Sequence, residues 1–286
     1  MKTREPATGK PGSRHIIKLI DHNARFPNAA AFRNYASDAY QALLKIIPEL
    51  LDVGVIERCS GAVANPLVVV RKKNGTFRIC IDLRAVNKQS VPQAHSTPDV
   101  SALVQRMAGY SYYLSVDAKN FFWAIPCEAA SRDYLGFSVP GIGLFRFTRC
   151  PFGHVNSSAV AQQLMDRLWS AAPGSPEVPA VHYCDDRNRA ANTPRQFIEA
   201  TRQDLAALNQ YNRPIIINAE KVVPLGFEVD ILGHSVSKQG VRMTEASTQK
   251  LLDMQRPATA HGVLQFLGCP IFFRDSLRWS LRSANC

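Results

Sequence analysis

The spacing of apolar residues along the chain changes several times, and each change marks an element. Residues 1–15 form a polar lead, expected to be disordered. Residues 26–51 then carry Ala39, Leu43, Leu44, Ile47, Leu50 and Leu51 at mostly helical spacing, and Gly54 closes that helix. From residue 66 the spacing becomes that of strands. Leu67-Val68-Val69-Val70-Arg71 and Phe77-Arg78-Ile79-Cys80-Ile81-Asp82 flank Asn74-Gly75, a two-residue hairpin signal. A helix over 98–109 follows, with Val100, Leu103, Val104 and Met107 on one side, and then a strand, Tyr112-Tyr113-Leu114-Ser115-Val116, that ends on Asp117. Pro140, Gly141 and Gly143 separate short strands over 135–147, and a helix runs from Asn156 through Leu164, Met165 and Leu168 to about residue 170.

The second half is read the same way. A short β-favouring run carries Tyr183, and the following Asp185-Asp186-Arg187-Asn188 reads as a hairpin tip. A polar helix over 193–211 is expected to turn Phe197, Ile198, Leu205 and Leu208 inward. Short strands follow at 215–218 and 226–234, and helices over 244–254 and 259–273 end the pattern. These alternations amount to an α+β chain.

Composition narrows the class. A chain of 286 residues is long enough for one large or two to three smaller cores, and 46% hydrophobic with 20% charged residues is globular. No apolar run approaches a membrane span, and the opening residues show no secretory signal, so an intracellular, soluble protein is expected. Seven cysteines without a C-x-x-C pair fit reduced thiols better than a disulfide framework or a structural zinc. The net charge of +11 favours a polyanionic partner.

Candidate chemistry lies at the strand ends. Adjacent carboxylates at Asp185 and Asp186 can offer oxygen ligands to a hard divalent cation, and Asp117, delivered by a separate strand, is a third. Arg71, Lys72 and Lys73 before the Asn74-Gly75 turn and Arg78 after it gather cations at one end of a ribbon, either as a clamp for phosphates or as a solvated edge protected from aggregation. Phe122, five residues beyond Asp117, can supply a flat apolar wall for a base or sugar, although aromatic residues there also serve a core.

The ordered set is more specific than any piece. The Asn74-Gly75 hairpin with Arg78, Asp82-Leu83-Arg84-Ala85-Val86-Asn87-Lys88, Ser115-Val116-Asp117, Pro151-Phe152-Gly153 with Asn156, Tyr183-Cys184-Asp185-Asp186 and Leu232-Gly233-His234 together resemble a reverse transcriptase. Gly54-Val55-Ile56 upstream, Lys221, and Phe266-Leu267-Gly268 downstream are most similar to the pol polyprotein of gypsy-type (Metaviridae) LTR retrotransposons, over roughly residues 40–275.

The resemblance implies a right-hand polymerase with an antiparallel palm sheet backed by helices. Its parts would be an N-terminal helix and fingers at 16–95, palm at 96–123, fingers at 124–150, palm at 151–236 and a partial thumb at 237–286. It implies an RNA-directed DNA polymerase that acts on an RNA or DNA template, a DNA primer and a dNTP, in the cytoplasm or in a retrotransposon particle. The family's catalytic and metal-binding acids map onto Asp117, Asp185 and Asp186, and its dNTP contacts onto Lys72, Arg78, Phe122, Phe152, Gly153 and Lys221. Phe122 would be the aromatic gate that disfavours a ribose 2′-hydroxyl, and Leu232, Gly233 and His234 the primer grip. Nucleotidyl transfer needs an alcohol made nucleophilic near neutral pH and a pyrophosphate whose charge is neutralised. Two Mg²⁺ ions, for which Mn²⁺ can substitute, meet both needs through hard oxygen ligands.

The chain departs from the family pattern in two places. After the acidic pair it continues with Arg187-Asn188-Arg189-Ala190-Ala191-Asn192 where an apolar strand is usual, and such a strand is expected to bury charge or fail to pair. Ser158 and Ala161 stand where the family usually has Pro and Phe. A catalytically inactive palm that only binds nucleic acid, and an RNA-directed RNA polymerase, are the alternative readings. Residues of a ribonuclease H, integrase or protease domain are not among the motifs.

Overall fold

The structure, a computed structural model, describes residues 14–26, 35–61, 63–72, 75–95, 98–210, 215–218 and 222–273. Two compact units emerge, one from residues 1–95 and 120–164, the other from 96–119 and 165–286.

In the first unit, helix α1 (Ser37–Asp52) buries Leu43, Ile47 and Leu50, one stripe of the pattern that announced it. It begins well after Phe26, where the helical reading started. Phe26 precedes Pro27, which disfavours helical backbone at the residue before it, and the Phe26 ring packs 5.6 Å from Tyr134 outside the helix. His15, assigned to a disordered lead, is fully buried: its N–H donates to the Pro126 carbonyl and its own carbonyl accepts from Glu128. Strands β1 (Ile56–Arg58) and β2 (Ala64–Asn65) lead into the ribbon of β3 (Leu67–Arg71) and β4 (Phe77–Ile81). That ribbon is an antiparallel hairpin, with Arg71 opposite Phe77 and Val70 opposite Arg78, and the Lys72–Thr76 bond leaves three residues in the connection where two were expected. Asn74 and Lys73 at its turn lie outside the described residues. Helix α2 (Arg84–Gln89) follows.

Helix α3 (Val100–Met107) opens the second unit, capped by the Asp99 side chain on Ser101 N–H, and buries Val104 and Met107. Strand β5 (Tyr112–Asp117) runs next. The chain then returns to the first unit, where β6 (Gly136–Val139) and β7 (Gly143–Phe147) form a sheet of order β1-β7-β6-β2. Phe137, Phe145 and Phe147 from these strands share one core with Leu43, Ile47 and Ile56.

Helix α4 (Ser157–Trp169) precedes β8 (Ala180–Tyr183), β9 (Asp186–Ala191) and helix α5 (Pro194–Gln210). After them come β10 (Val223–Gly226), β11 (Glu228–Ile231), β12 (His234–Ser237), β13 (Gly240–Met243), and helices α6 (Glu245–Leu252) and α7 (Ala260–Phe272). In the second unit β10-β5-β9-β8 form an antiparallel sheet and β11-β12-β13 a smaller one. Helix α5 packs on β9 and β5. A core of Met107, Tyr113, Val181, Ala190, Val229 and Val236 fills one side, while Leu114, Ala191 and Phe197 cluster separately. Among the described residues, no helix is long and apolar enough to cross a membrane.

Candidate active site

Alternation along β5 and β9 decides where the acids stand. The two strands pair in continuous register from Tyr112↔Ala191 to Asp117↔Asp186, so those carboxylates leave the same end of the ladder from directly opposed residues. Tyr183 pairs with Asp186 across β8 and β9, which leaves Cys184 and Asp185 as the loop. The hairpin tip is therefore two residues earlier than the sequence suggested, and Asp186 already belongs to the returning strand. A two-residue hairpin of this kind needs positive φ at its first central residue, and Cys184 supplies it at φ 49°. Ala118 N–H donates to the Asp185 carbonyl at 3.0 Å, tying the third acid to the end of β5.

The surroundings of the tip are half-buried and negative. Burial, and then the charges of Asp185 and Asp186, push the Cys184 thiol up to about 11. One residue before Tyr183, the His182 ring nitrogen Nε2 lies 2.8 Å from Asp166 Oδ1, and burial nevertheless lowers the imidazole below its usual value.

The polar strand does pair, and it buries charge that is compensated. Arg187, Asn188 and Arg189 are each only 2% exposed. Arg189 forks onto Asp204 of α5, Nε to Oδ2 at 2.9 Å and Nη2 to Oδ1 at 2.7 Å, and Arg187 Nη2 donates to the same Oδ1 at 3.0 Å. Both guanidiniums also donate to the Ala172 carbonyl, at 2.6 and 3.0 Å, and Arg187 lies 4.4 Å over the Trp169 ring. This overturns the expectation for α5. Its inner stripe is Phe197, Ala200, Asp204 and Ala207, whereas Ile198 and Leu205 are about half exposed. The buried face of that helix is chosen by an ion partner for β9 as much as by apolar residues. The signal was present in the sequence as an Asp seven residues after Phe197, facing a strand with arginines two apart. At the second departure Ala161 is fully buried and Ser158 is exposed.

The remaining residues named from sequence fall as follows. In the first unit, Lys72 and Arg78 are exposed on the β3–β4 ribbon, and the Lys72 N–H donates to the Thr76 carbonyl. Phe122 and Phe152 stand edge to face with ring centres 4.9 Å apart. Gly153 has φ 90°, and its carbonyl accepts from Asn87 Nδ2 at 2.9 Å while Asn87 Oδ1 accepts from Val155 N–H, so the 82–88 motif is hydrogen-bonded to the segment that follows Phe152. In the second unit, Leu232 (φ 50°) and Gly233 (φ 84°) make the β11–β12 turn, and His234 is buried with its ring 5.0 Å from Phe273. Lys221 lies outside the described residues. Sequence reasoning missed one neighbour of Asp117: Asn218, read only as the end of a short strand, donates its N–H to the Asp117 carbonyl at 2.8 Å.

The donor set suits a hard divalent cation, since Asp117 and Asp186 are opposed carboxylates and the Asp185 carbonyl accepts from the N–H of Ala118, the residue after Asp117. Among the described residues, no three acid, histidine or cysteine side chains stand close enough to hold an ion unaided.

Residues 70–236 match the family described as reverse transcriptase (RNA-dependent DNA polymerase). The chain is 25% identical over 260 residues to the Tf2-3 transposon polyprotein of Schizosaccharomyces pombe, covering 90% of this chain and 19% of that protein. It is also 25% identical over 278 residues to the retrovirus-related Pol polyprotein from transposon opus of Drosophila melanogaster, covering 96% of this chain and 27% of that one. It thus spans about a fifth to a quarter of these relatives. Its fold is similar to a foamy viral protease-reverse transcriptase in complex with double-stranded DNA, with TM-score 0.78, 23% identity, and 93% of this chain and 45% of that one covered. A foamy viral protease-reverse transcriptase in complex with an RNA/DNA hybrid gives TM-score 0.75 at 23% identity over 93% of this chain and 34% of that one.

Proposed function

This chain belongs to the reverse transcriptase family, with relatives among LTR retrotransposon pol polyproteins as the gypsy-type motifs implied, and from that membership we propose that it is an RNA-directed DNA polymerase domain. The observation that carries the proposal is the direct opposition of Asp117 and Asp186 at one ladder end, with Asp185 in the adjoining two-residue turn. Asp117, Asp185 and Asp186 hold the divalent ions, two Mg²⁺ with Mn²⁺ as a substitute. Bound there, the ions supply a Lewis acid for the primer 3′-hydroxyl and neutralise the departing pyrophosphate.

The protein's own part is positioning. The β5–β9 ladder fixes the separation of the acids, and the left-handed Cys184 aims Asp185 from the loop. For Lys72, Arg78, Phe122, Phe152, Gly153 and Lys221 as dNTP contacts, and for Leu232, Gly233 and His234 as primer grip, support comes from the family pattern. Exposed cations on a two-stranded ribbon suit triphosphate oxygens, and the Phe122–Phe152 pair makes a rigid aromatic surface suited to a deoxyribose. Template RNA, DNA primer and dNTP are the proposed partners. The foamy viral protease-reverse transcriptases of similar fold, in complex with double-stranded DNA and with an RNA/DNA hybrid, support that choice, and an intracellular retrotransposon particle is the proposed setting.

The case for an inactive palm rested on a polar strand unable to support the acids, and the compensated Arg187–Asp204–Arg189 layer removes that reason. The test is extension of a DNA primer on an RNA template with dNTPs and Mg²⁺. Metal-dependent extension that prefers dNTPs to rNTPs is expected; metal-independent or absent extension by folded protein refutes the assignment.

A further inference from the structure

Asp117 is gripped on two sides. On one it faces β9. On the other, residues 216–218 run antiparallel to 117–119: Lys119 N–H donates to the Ile216 carbonyl at 2.7 Å, Ala118 bridges Ile217, and Asn218 N–H donates to the Asp117 carbonyl at 2.8 Å. The Asn218 side chain then turns toward the carboxylate, Nδ2 lying 3.4 Å from Asp117 Oδ2.

Backbone bonds of this kind are open to any residue, so they do not explain an amide at position 218. The side chain does more. A neutral N–H donor on one carboxylate oxygen can fix the rotation of the group without adding charge of either sign to the site. At 3.4 Å the contact is long and contributes little to folding, so an orienting role and a stabilising role make different predictions.

We propose that Asn218 is a positioning residue whose side-chain amide orients the Asp117 carboxylate toward a divalent cation. The inference rests on the metal-binding reading of Asp117, Asp185 and Asp186 given above.

The test uses the full chain as wild type, Asn218→Ala, Asn218→Gln and Asp117→Asn. Mn²⁺ alone is the probe, its free concentration followed by electron paramagnetic resonance without nucleic acid, alongside thermal unfolding in metal-free buffer and primer extension against Mg²⁺ concentration. Outer-shell partners of metal ligands are worth about 10–100-fold in affinity, and a single long contact belongs at the low end. Asn218→Ala should therefore bind Mn²⁺ about tenfold more weakly and need correspondingly more Mg²⁺ for half-maximal extension, with its unfolding temperature unchanged and affinity partly recovered in Asn218→Gln. Unchanged Mn²⁺ affinity in Asn218→Ala, while wild type extends primers, overturns this inference alone. So does a loss of affinity that only tracks a fall in unfolding temperature. If wild type binds no more Mn²⁺ than Asp117→Asn, the metal reading falls and takes this inference with it.

Discussion

Asp204→Leu is expected to destabilise the fold by stripping two buried arginines of β9 of their shared partner. In the native chain one carboxylate, 4% exposed, receives Arg187 at 3.0 and 3.5 Å and Arg189 at 2.7 and 2.9 Å. Without it, two guanidiniums that are each 2% exposed retain only the Ala172 carbonyl and, for Arg187, the face of Trp169. Removing one partner of a buried ionic group while leaving the others charged costs about 3–5 kcal/mol, a large share of a typical stability of about 5–15 kcal/mol. Asp204→Asn keeps one acceptor oxygen and should cost less, about 1.5–3 kcal/mol. Replacing the whole cluster, as Arg187→Val/Arg189→Val/Asp204→Leu, removes the charges together with their desolvation and should be neutral or stabilising by about 1–4 kcal/mol. Urea unfolding followed by tryptophan fluorescence measures all three, with Trp169 reporting directly on the cluster. With a slope of about 1–3 kcal/mol per molar urea, the single Leu variant should lose on the order of 1 M or more in midpoint. The reasoning is refuted if Asp204→Leu unfolds at the wild-type midpoint, or if the triple variant is no more stable than the single one.

Three further outcomes follow from the geometry. Burial lowers His15 to about 3 and His154 to about 4, so both fold neutral. Their contribution is complete above the unfolded value near 6.5 and is lost as pH falls toward the folded values, each removing about 1.4 kcal/mol by pH 5.5; stability measured against pH should be flatter in His15→Leu, and an equally steep wild-type-like slope would contradict this. Gly233→Ala should destabilise the β11–β12 turn by about 1–3 kcal/mol, because Gly233 has φ 84° and a Cβ would meet Ser247 Oγ at 2.8 Å and the Phe273 ring at 3.3 Å; an unchanged melting temperature would count against it. Asp185→Asn should abolish primer extension while leaving template binding, measured by fluorescence anisotropy, largely intact; a wild-type extension rate in that variant would refute the metal assignment.

Much of this architecture was legible because period and punctuation agreed. The β3–β4 ribbon, the strand ending on Asp117, and helices α3, α4, α6 and α7 stand where spacing placed them, within a residue or two at most ends. Where the reading failed, a local pattern stood in for a partner or a pairing that it does not report. On α5 the rule that apolar residues face inward chose Ile198 and Leu205, but the inner position is held by Asp204 because β9 brings two arginines to it. The hairpin tip was misplaced because Asp and Asn are turn formers by composition, whereas the ladder gives the turn to Cys184 and Asp185. Asn218 was invisible as a neighbour of Asp117 because 101 residues separate the two and no local pattern marks a contact of that range.

Whether the buried ions also set the site's geometry can be argued from register. A slip of one residue between β5 and β9 would swing Arg187 and Arg189 away from α5 to the side of Tyr113, and would separate Asp186 from Asp117. Two other constraints already forbid that slip. The Cys184-Asp185 loop pins β9 to β8, and Ala190 and Ala191 pack into different clusters on opposite faces, with Tyr113 and with Leu114 and Phe197. The acids are thus placed by the backbone ladder, and the charges satisfy each other within a frame they do not define. The triple apolar variant should accordingly keep its extension rate within a few-fold of wild type. A variant as stable as wild type that no longer extends primers would show instead that the Arg–Asp–Arg layer holds the register of the strand that carries Asp186.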